Sequence, residues 1–422
     1  MTGKINSVHA RQILDSRGNP TVEAEVVTEK GVFIGMAPSG ASTGTHEVLE
    51  LRDGGHAFDG VGVTKAVSNA NLIIAPKLVG KDCTEQEQLD NLMIALDGTK
   101  NKAKLGANAI VPISIAIAKA GAASMQMPLY EYLGKLSGNK KFVLPVPQLN
   151  VINGGKHARR ENDIQETMIM PAKAKTFSEA MQVSIEVYHV LKKLLRHKFG
   201  AQGTLVGDEG GFVPNVGIEE KLGFVIKAVE DAGHADKVSL ALDSAASEFY
   251  HHEHGFYALE DKKFFPQELV DYYAKLCETY KIISLEDAMY EEDWDGWSKL
   301  TAKLGKKIQI VGDDLLVTNV ERIKKAVQLK ACNSLLLKVN QIGTVTESIK
   351  AAQLAKQSGW TVVVSHRSGE TEDTFIADLA VGLGAGQCKF GGPCRSERTA
   401  KYNQLLRIEE ALGKKAVYGN TQ

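Results

Sequence analysis

The sequence predicts an α/β chain in which a (β/α) barrel follows a smaller α+β domain. Three observations carry this. The chain has 422 residues, beyond the size at which one core keeps growing, so two domains are expected. Its C-terminal two-thirds alternates short apolar runs with helical stretches, and each run ends in a polar or charged residue. Its N-terminal third opens on strand patterns and then turns helical, as an α+β unit does.

In the N-terminal third, residues 21–27 alternate Val and Glu, the pattern of a half-exposed strand. Glu29-Lys30-Gly31 reads as a turn into a second strand over 32–37. Then comes a loop of small residues, Pro38-Ser39-Gly40-Ala41-Ser42-Thr43-Gly44. From 63 to 132 the pattern is mostly helical. Residues 107–125 are the most apolar stretch, but Pro112, Lys119 and many Ala and Gly mark a buried helix instead of a membrane span. Gly and Lys cluster over 137–141 without apolar periodicity. The domains are therefore expected to be 1–136 and 137–422.

In the second domain the runs are 238–242 before Asp243, 282–285 before Glu286, and 308–311 before Asp313. Next come 335–337 before Lys338, 361–364 before His366, and a weaker run, 386–388, before Lys389. From Glu286 onward the spacing is roughly 25 residues, about one βα unit. Continuously apolar strands suit a parallel sheet covered on both faces. Functional side chains at the C-terminal ends of successive strands are the mark of a barrel.

The formal net charge is −1, so no field over the whole surface favours nucleic acid or an anionic membrane, and an anionic substrate must be held locally. The five cysteines are scattered, odd in number and without metal spacing. They predict free thiols in a reducing, cytoplasmic compartment. The first twenty residues lack the apolar stretch of a secretory signal. His251-His252-Glu253-His254 reads as an exposed hairpin tip.

Asp243, Glu286 and Asp313 would converge at one barrel mouth. Three carboxylates there repel each other unless a hard cation sits among them, and oxygen donors suit Mg²⁺. Lys338, His366-Arg367-Ser368 and Lys389 make the other side of the mouth basic. The two halves suit a metal-bound substrate with a carboxylate and a phosphate. A second group comprises His157, Gln165-Glu166 and Glu209. Paired carboxylates can share a proton, so that one acts as an acid near neutral pH.

Asp15-Ser16-Arg17-Gly18-Asn19-Pro20, Ser39-Gly40-Ala41-Ser42-Thr43-Gly44 and Gly207-Asp208-Glu209-Gly210-Gly211 resemble motifs of the enolase family. So do Leu337-Lys338-Val339-Asn340-Gln341-Ile342-Gly343 and Ser365-His366-Arg367-Ser368-Gly369-Glu370. The likeness runs from about residue 4 to 412, in family order. It implies an enolase-type (β/α)8 barrel, its second strand antiparallel, beneath an N-terminal α+β capping domain. It implies dehydration of 2-phosphoglycerate to phosphoenolpyruvate, a step of glycolysis, with two Mg²⁺ per site and a homodimer. Lys338 matches the base, and Glu209, paired with Glu166, the acid. Asp243, Glu286 and Asp313 match the tighter metal's ligands, and Ser42 the second metal's. His157, Gln165, Ser365, His366, Arg367, Ser368 and Lys389 match substrate contacts. Burial and neighbouring cations are expected to lower the pKa of Lys338 toward working pH.

Some residues depart from the family pattern: Gln148, Arg159-Arg160, Thr167, Ala288-Met289 and Phe390-Gly391-Gly392. Together they suggest a reshaped pocket wall, with Arg159 and Arg160 as further anion contacts. That leaves a second reading open: a paralogue acting on a larger phosphonate or carboxylate, such as carboxyphosphonoenolpyruvate synthase. A third is a non-catalytic structural or surface-binding relative.

Overall fold

The computed structural model of the chain describes residues 3–41, 44–158 and 160–419. Ser42 and Arg159, both named above, lie outside them.

The N-terminal sheet has three antiparallel strands, β1 (Ser7–Leu14), β2 (Pro20–Thr28) and β3 (Gly31–Met36), in the order β1-β2-β3. The central strand buries Val22, Ala24 and Val26 against helix Ala107–Ser124. That helix is long and apolar enough to cross a bilayer, but it is buried inside the protein. It lies so close to β3 that a Cβ on Gly35 would sit 2.1 Å from the Pro112 carbonyl oxygen. The other face of the same helix, through Val111 and Ile115, joins the barrel's apolar core together with Tyr130 and Leu133 of helix Leu129–Ser137. The cap is thus packed onto the barrel through shared side chains.

The barrel begins with β4 (Val146–Pro147) and β5 (Leu149–Asn153), two pieces of one strand interrupted at Gln148. β6 (Glu166–Met170) follows, then β7 (Ser239–Asp243). An excursion of three short strands, β8 (Tyr250–His251), β9 (Phe256–Leu259) and β10 (Lys262–Phe264), forms its own antiparallel sheet. The barrel resumes with β11 (Ile282–Glu286), β12 (Gln309–Gly312), β13 (Ser334–Leu337), β14 (Thr361–Ser365) and β15 (Gly386–Lys389). The order β4-β15-β14-β13-β12-β11-β7-β6-β5 closes on itself, because β4 and β5 are consecutive. All neighbours from β7 round to β4 are parallel, while β6 runs antiparallel to both β5 and β7. Among its described residues the connection between β5 and β6 carries only a short 3₁₀ turn, Gly155–Ala158, and the chain reverses there.

This topology sets the site. Glu166 is opposite Asp243, Asp243 opposite Glu286, and Ser365 opposite Lys389. Their side chains lie on one face at one end of the barrel, since successive residues of a strand alternate faces.

Candidate active site

One small cavity at the mouth is lined by His157, Gln165, Glu166, Glu209, Asp243, Asp313, Lys338, Ser365, His366, Arg367, Ser368 and Lys389, with Gly40 and Ala41 of the cap above them. Residues from six strand ends and the cap loop therefore meet in one place. Ser39 and Gly369 exchange two backbone hydrogen bonds of 2.8 Å, tying the cap loop to the barrel rim.

On the floor, the Lys389 ammonium donates to Asp243 Oδ2 and Glu286 Oε1, each at 2.8 Å, and lies 3.3 Å from Glu166 Oε1. Burial opposes its charge, but the three carboxylates outweigh burial and raise its pKa well above the ordinary lysine value. Glu286 does not line the cavity. It reaches the site through Lys389, and its Oε2 is buried with no partner. Burial, then the charge of Asp243, pushes the Glu286 carboxyl well up. A buried oxygen without a donor, in a crowd of carboxylates, fits an added hard cation.

Lys338 sits against Asp313, whose other oxygen accepts from Gln341 Nε2 at 2.8 Å. Burial lowers the Lys338 pKa, but Asp313 more than reverses this, so the net shift is upward. The direction is opposite to the one expected from the sequence, because the Asp313 carboxylate faces the ammonium directly. Asp313 is correspondingly held low, burial being outweighed by Lys338.

Opposite, donor atoms of His157, Glu166 and Glu209 lie within 4.8 Å of one another. His157 Nε2 is 3.5 Å from Glu209 Oε1, and Asn150 Nδ2 donates to Glu209 Oε2 at 3.2 Å. Two carboxylates this close cannot both ionise freely. Burial and the charge of Glu209 push Glu166 well up. Burial would also raise Glu209, but His157, His366 and Arg398 hold it well down. The two carboxyls therefore titrate as one coupled pair, pushed apart in opposite directions. His366 is itself kept neutral, burial pushing its pKa down to about 4. Arg398 donates to its Nδ1 at 2.7 Å, so the ring proton is on Nε2, facing Glu209 Oε2 at 3.4 Å.

Several of these partners carried no signal in the sequence. Arg398, fully buried, donates to His366 and to the carbonyls of Asp208, Arg367 and Ser368. It pins the two loops that carry Glu209 and His366-Arg367-Ser368. Glu47 of the cap receives two bonds from Arg367, of 2.8 and 3.1 Å. Asp287 accepts the backbone N–H groups of Asp313 and Asp314 at 2.8 Å each, fixing the loop after β12. Asp287, Asp313 and Asp314 form a second acidic group close enough to hold a cation.

The departures fall elsewhere. Arg160 is not in the cavity: its guanidinium donates to the carbonyls of Pro214 and Val216 and lies 3.5 Å from Asp163. Thr167 follows Glu166 and so points to the opposite face of β6. Phe390 is buried against Tyr402, ring centroids 5.9 Å apart. Ala288 and Met289 are buried in the apolar core. None of these lines the cavity. The hairpin imidazoles stack on rings, His251 on Phe256 and His252 edge-on to Tyr290.

Two family models cover the chain. Residues 5–133 match "Enolase, N-terminal domain", and residues 141–422 match "Enolase, C-terminal TIM barrel domain". The chain is similar to the enolase of Solanum lycopersicum, 56% identical over 430 residues, covering 98% of this chain and 97% of the relative. It is similar to the enolases of Thermococcus kodakarensis and Thermococcus gammatolerans, each 55% identical over 418 residues, covering 98% of this chain and 96% of the relative.

Proposed function

The chain belongs to the enolase family and is a carbon–oxygen lyase that dehydrates 2-phosphoglycerate to phosphoenolpyruvate; we propose how its own residues divide that work. The supporting observation is a single cavity with Lys338 on one wall, the Glu166–Glu209 pair on another and Lys389 in the floor.

Lys338 is the base that takes the proton from C2. That proton is weakly acidic, because its loss adds a second negative charge beside the carboxylate. Lys338 must first be neutral. With the charge of Asp313 engaged elsewhere, burial, Arg367 and Lys389 lower the Lys338 pKa against the smaller raising effect of Glu286. Lys389 places a fixed positive charge where the new anion develops. The Glu166–Glu209 pair delivers its shared proton to the C3 hydroxyl through Glu209, and water leaves. Arg367 and Ser368 hold the phosphate, and His157, Gln165, Ser365 and His366 close the remaining sides.

Asp243, Glu286 and Asp313 are the residues that would hold a divalent metal, with Ser42 serving a second. We take both as Mg²⁺, since every donor is a hard oxygen. Bound there, the metal supplies positive charge against the substrate carboxylate. The family resemblance supports a homodimer. Five free cysteines, four of them buried, support a reducing, cytoplasmic setting. The phosphonate-handling reading has no support in the geometry, because the described departures lie outside the cavity.

The experiment separates base from acid. Lys338→Ala should lower turnover by roughly 10³ or more and abolish exchange of the C2 proton with solvent. Glu209→Gln should lose dehydration to a similar degree yet still exchange that proton. A Lys338→Ala protein that exchanges at the wild-type rate would overturn the assignment.

A further inference from the structure

At the foot of the barrel, where the strands begin, side chains ordinarily serve packing alone. Here that end opens into a cleft of about 480 Å³. Gln309 and Thr361, the first residues of β12 and β14, line it, as does Met170, the last residue of the reversed strand β6. Lys306 and Lys307 stand exposed at its rim, and no carboxylate lines it. Among the described residues, neither lysine forms an ion pair.

A run of amides crosses the barrel interior to this cleft. Gln148 Nε2 donates to Gln387 Oε1 at 2.9 Å, and Gln387 Nε2 donates to Gln309 Oε1 at 2.7 Å. The run ends at Gln309 Nε2, a buried donor with no acceptor. Thr361 Oγ1 is likewise buried without a partner. Buried polar atoms left unmade are costly and uncommon in folded proteins. Two such atoms beside two unpaired ammonium groups, with no acid nearby, present donors and positive charge to one small volume. An anion answers all four.

We propose that the foot of the barrel is a second anion site, taking a small phosphate- or carboxylate-bearing metabolite. Its oxygens accept from Gln309 Nε2 and Thr361 Oγ1, with Lys306 and Lys307 closing over its charge. The site is separate from the catalytic mouth, and its inner end touches the strands of the mouth through Gln387, two residues before Lys389, and Gln148, two residues before Asn150.

Equilibrium dialysis of the Mg²⁺-loaded protein against labelled inorganic phosphate tests this. Lys306→Ala/Lys307→Ala, two exposed changes that leave the core intact, should bind one phosphate per chain fewer than wild type, or bind it at least about tenfold more weakly. Gln309→Leu/Thr361→Val should lose the same phosphate. In both double variants the KM for 2-phosphoglycerate should be unchanged, which separates this site from the mouth. Wild-type phosphate stoichiometry and affinity in Lys306→Ala/Lys307→Ala would overturn the proposal and leave the orphaned atoms to water.

Discussion

The two ends of the barrel handle buried polarity in opposite ways. At the mouth almost every charge is met: Lys389 by three carboxylates, Lys338 by Asp313, Arg367 by Glu47. At the foot the buried polar atoms are neutral amides and hydroxyls, and Gln148 Oε1, Gln309 Nε2 and Thr361 Oγ1 among them meet nothing. The mouth is a balanced set of ions whose balance a substrate and metal can shift. The foot is a hydrogen-bond chain with an open end. Removing one member should therefore be far more damaging at the mouth, where an uncompensated buried charge remains, than at the foot.

The largest effect is expected from Lys389→Met. It strips the cation from Asp243, Glu286 and Glu166 at once. In the presence of a chelator, stability should fall by roughly 3–5 kcal/mol, the usual result of breaking a buried ion pair from one side. Denaturant unfolding measures it. A loss under about 1 kcal/mol would mean the three acids simply take up protons.

Glu47→Gln should come next. It replaces the carboxylate that pairs with the Arg367 guanidinium by a neutral amide, and it loosens the cap from the rim. The KM for 2-phosphoglycerate should rise about tenfold or more, with stability down by about 1–3 kcal/mol. An unchanged KM would separate cap closure from substrate anchoring.

His366 gives the mouth a pH signature. Its folded pKa, about 4, lies below the unfolded value near 6.5. The unfolded chain therefore binds the proton first as pH falls. The stability tied to the neutral ring is full above pH 6.5 and is lost as pH drops toward 4, on the order of 3 kcal/mol in all. His366→Gln should flatten the acid limb of a melting-temperature profile across that window, while leaving the profile above pH 7 parallel to wild type.

Much of the mouth was legible in the sequence because its signals are local. An apolar run that ends in Asp, Glu, Lys or His marks a strand end by itself, and a barrel brings strand ends together. What balances those groups was not legible. Glu47 and Arg367 are 320 residues apart, and Arg398 lies on a helix, Ser396–Leu412, whose pattern reveals nothing about His366. The strand β1 carries little signal because half its residues are polar and only Val8 and Ala10 are buried. Arg160 was read as facing the substrate because its charge was visible and its acceptors, two backbone carbonyls, were not. The foot was invisible altogether: no local pattern tells that Gln148, Gln387 and Gln309 share one interior.

Gln148→Leu is the gentlest perturbation and the one that most sharpens the contrast. The residue is fully buried, its Oε1 has no partner, and its amide serves one bond to Gln387. Leucine removes an orphan acceptor but also orphans Gln387 Oε1. The two effects are of similar size and opposite sign, so stability should move by less than about 1 kcal/mol in either direction. Turnover of 2-phosphoglycerate should stay within about threefold, since the step from Gln148 to the mouth passes through strand backbone and not through a charge. A fall of about tenfold or more would show that the interior amides set the placement of Asn150 and Lys389, and that foot and mouth act as one unit.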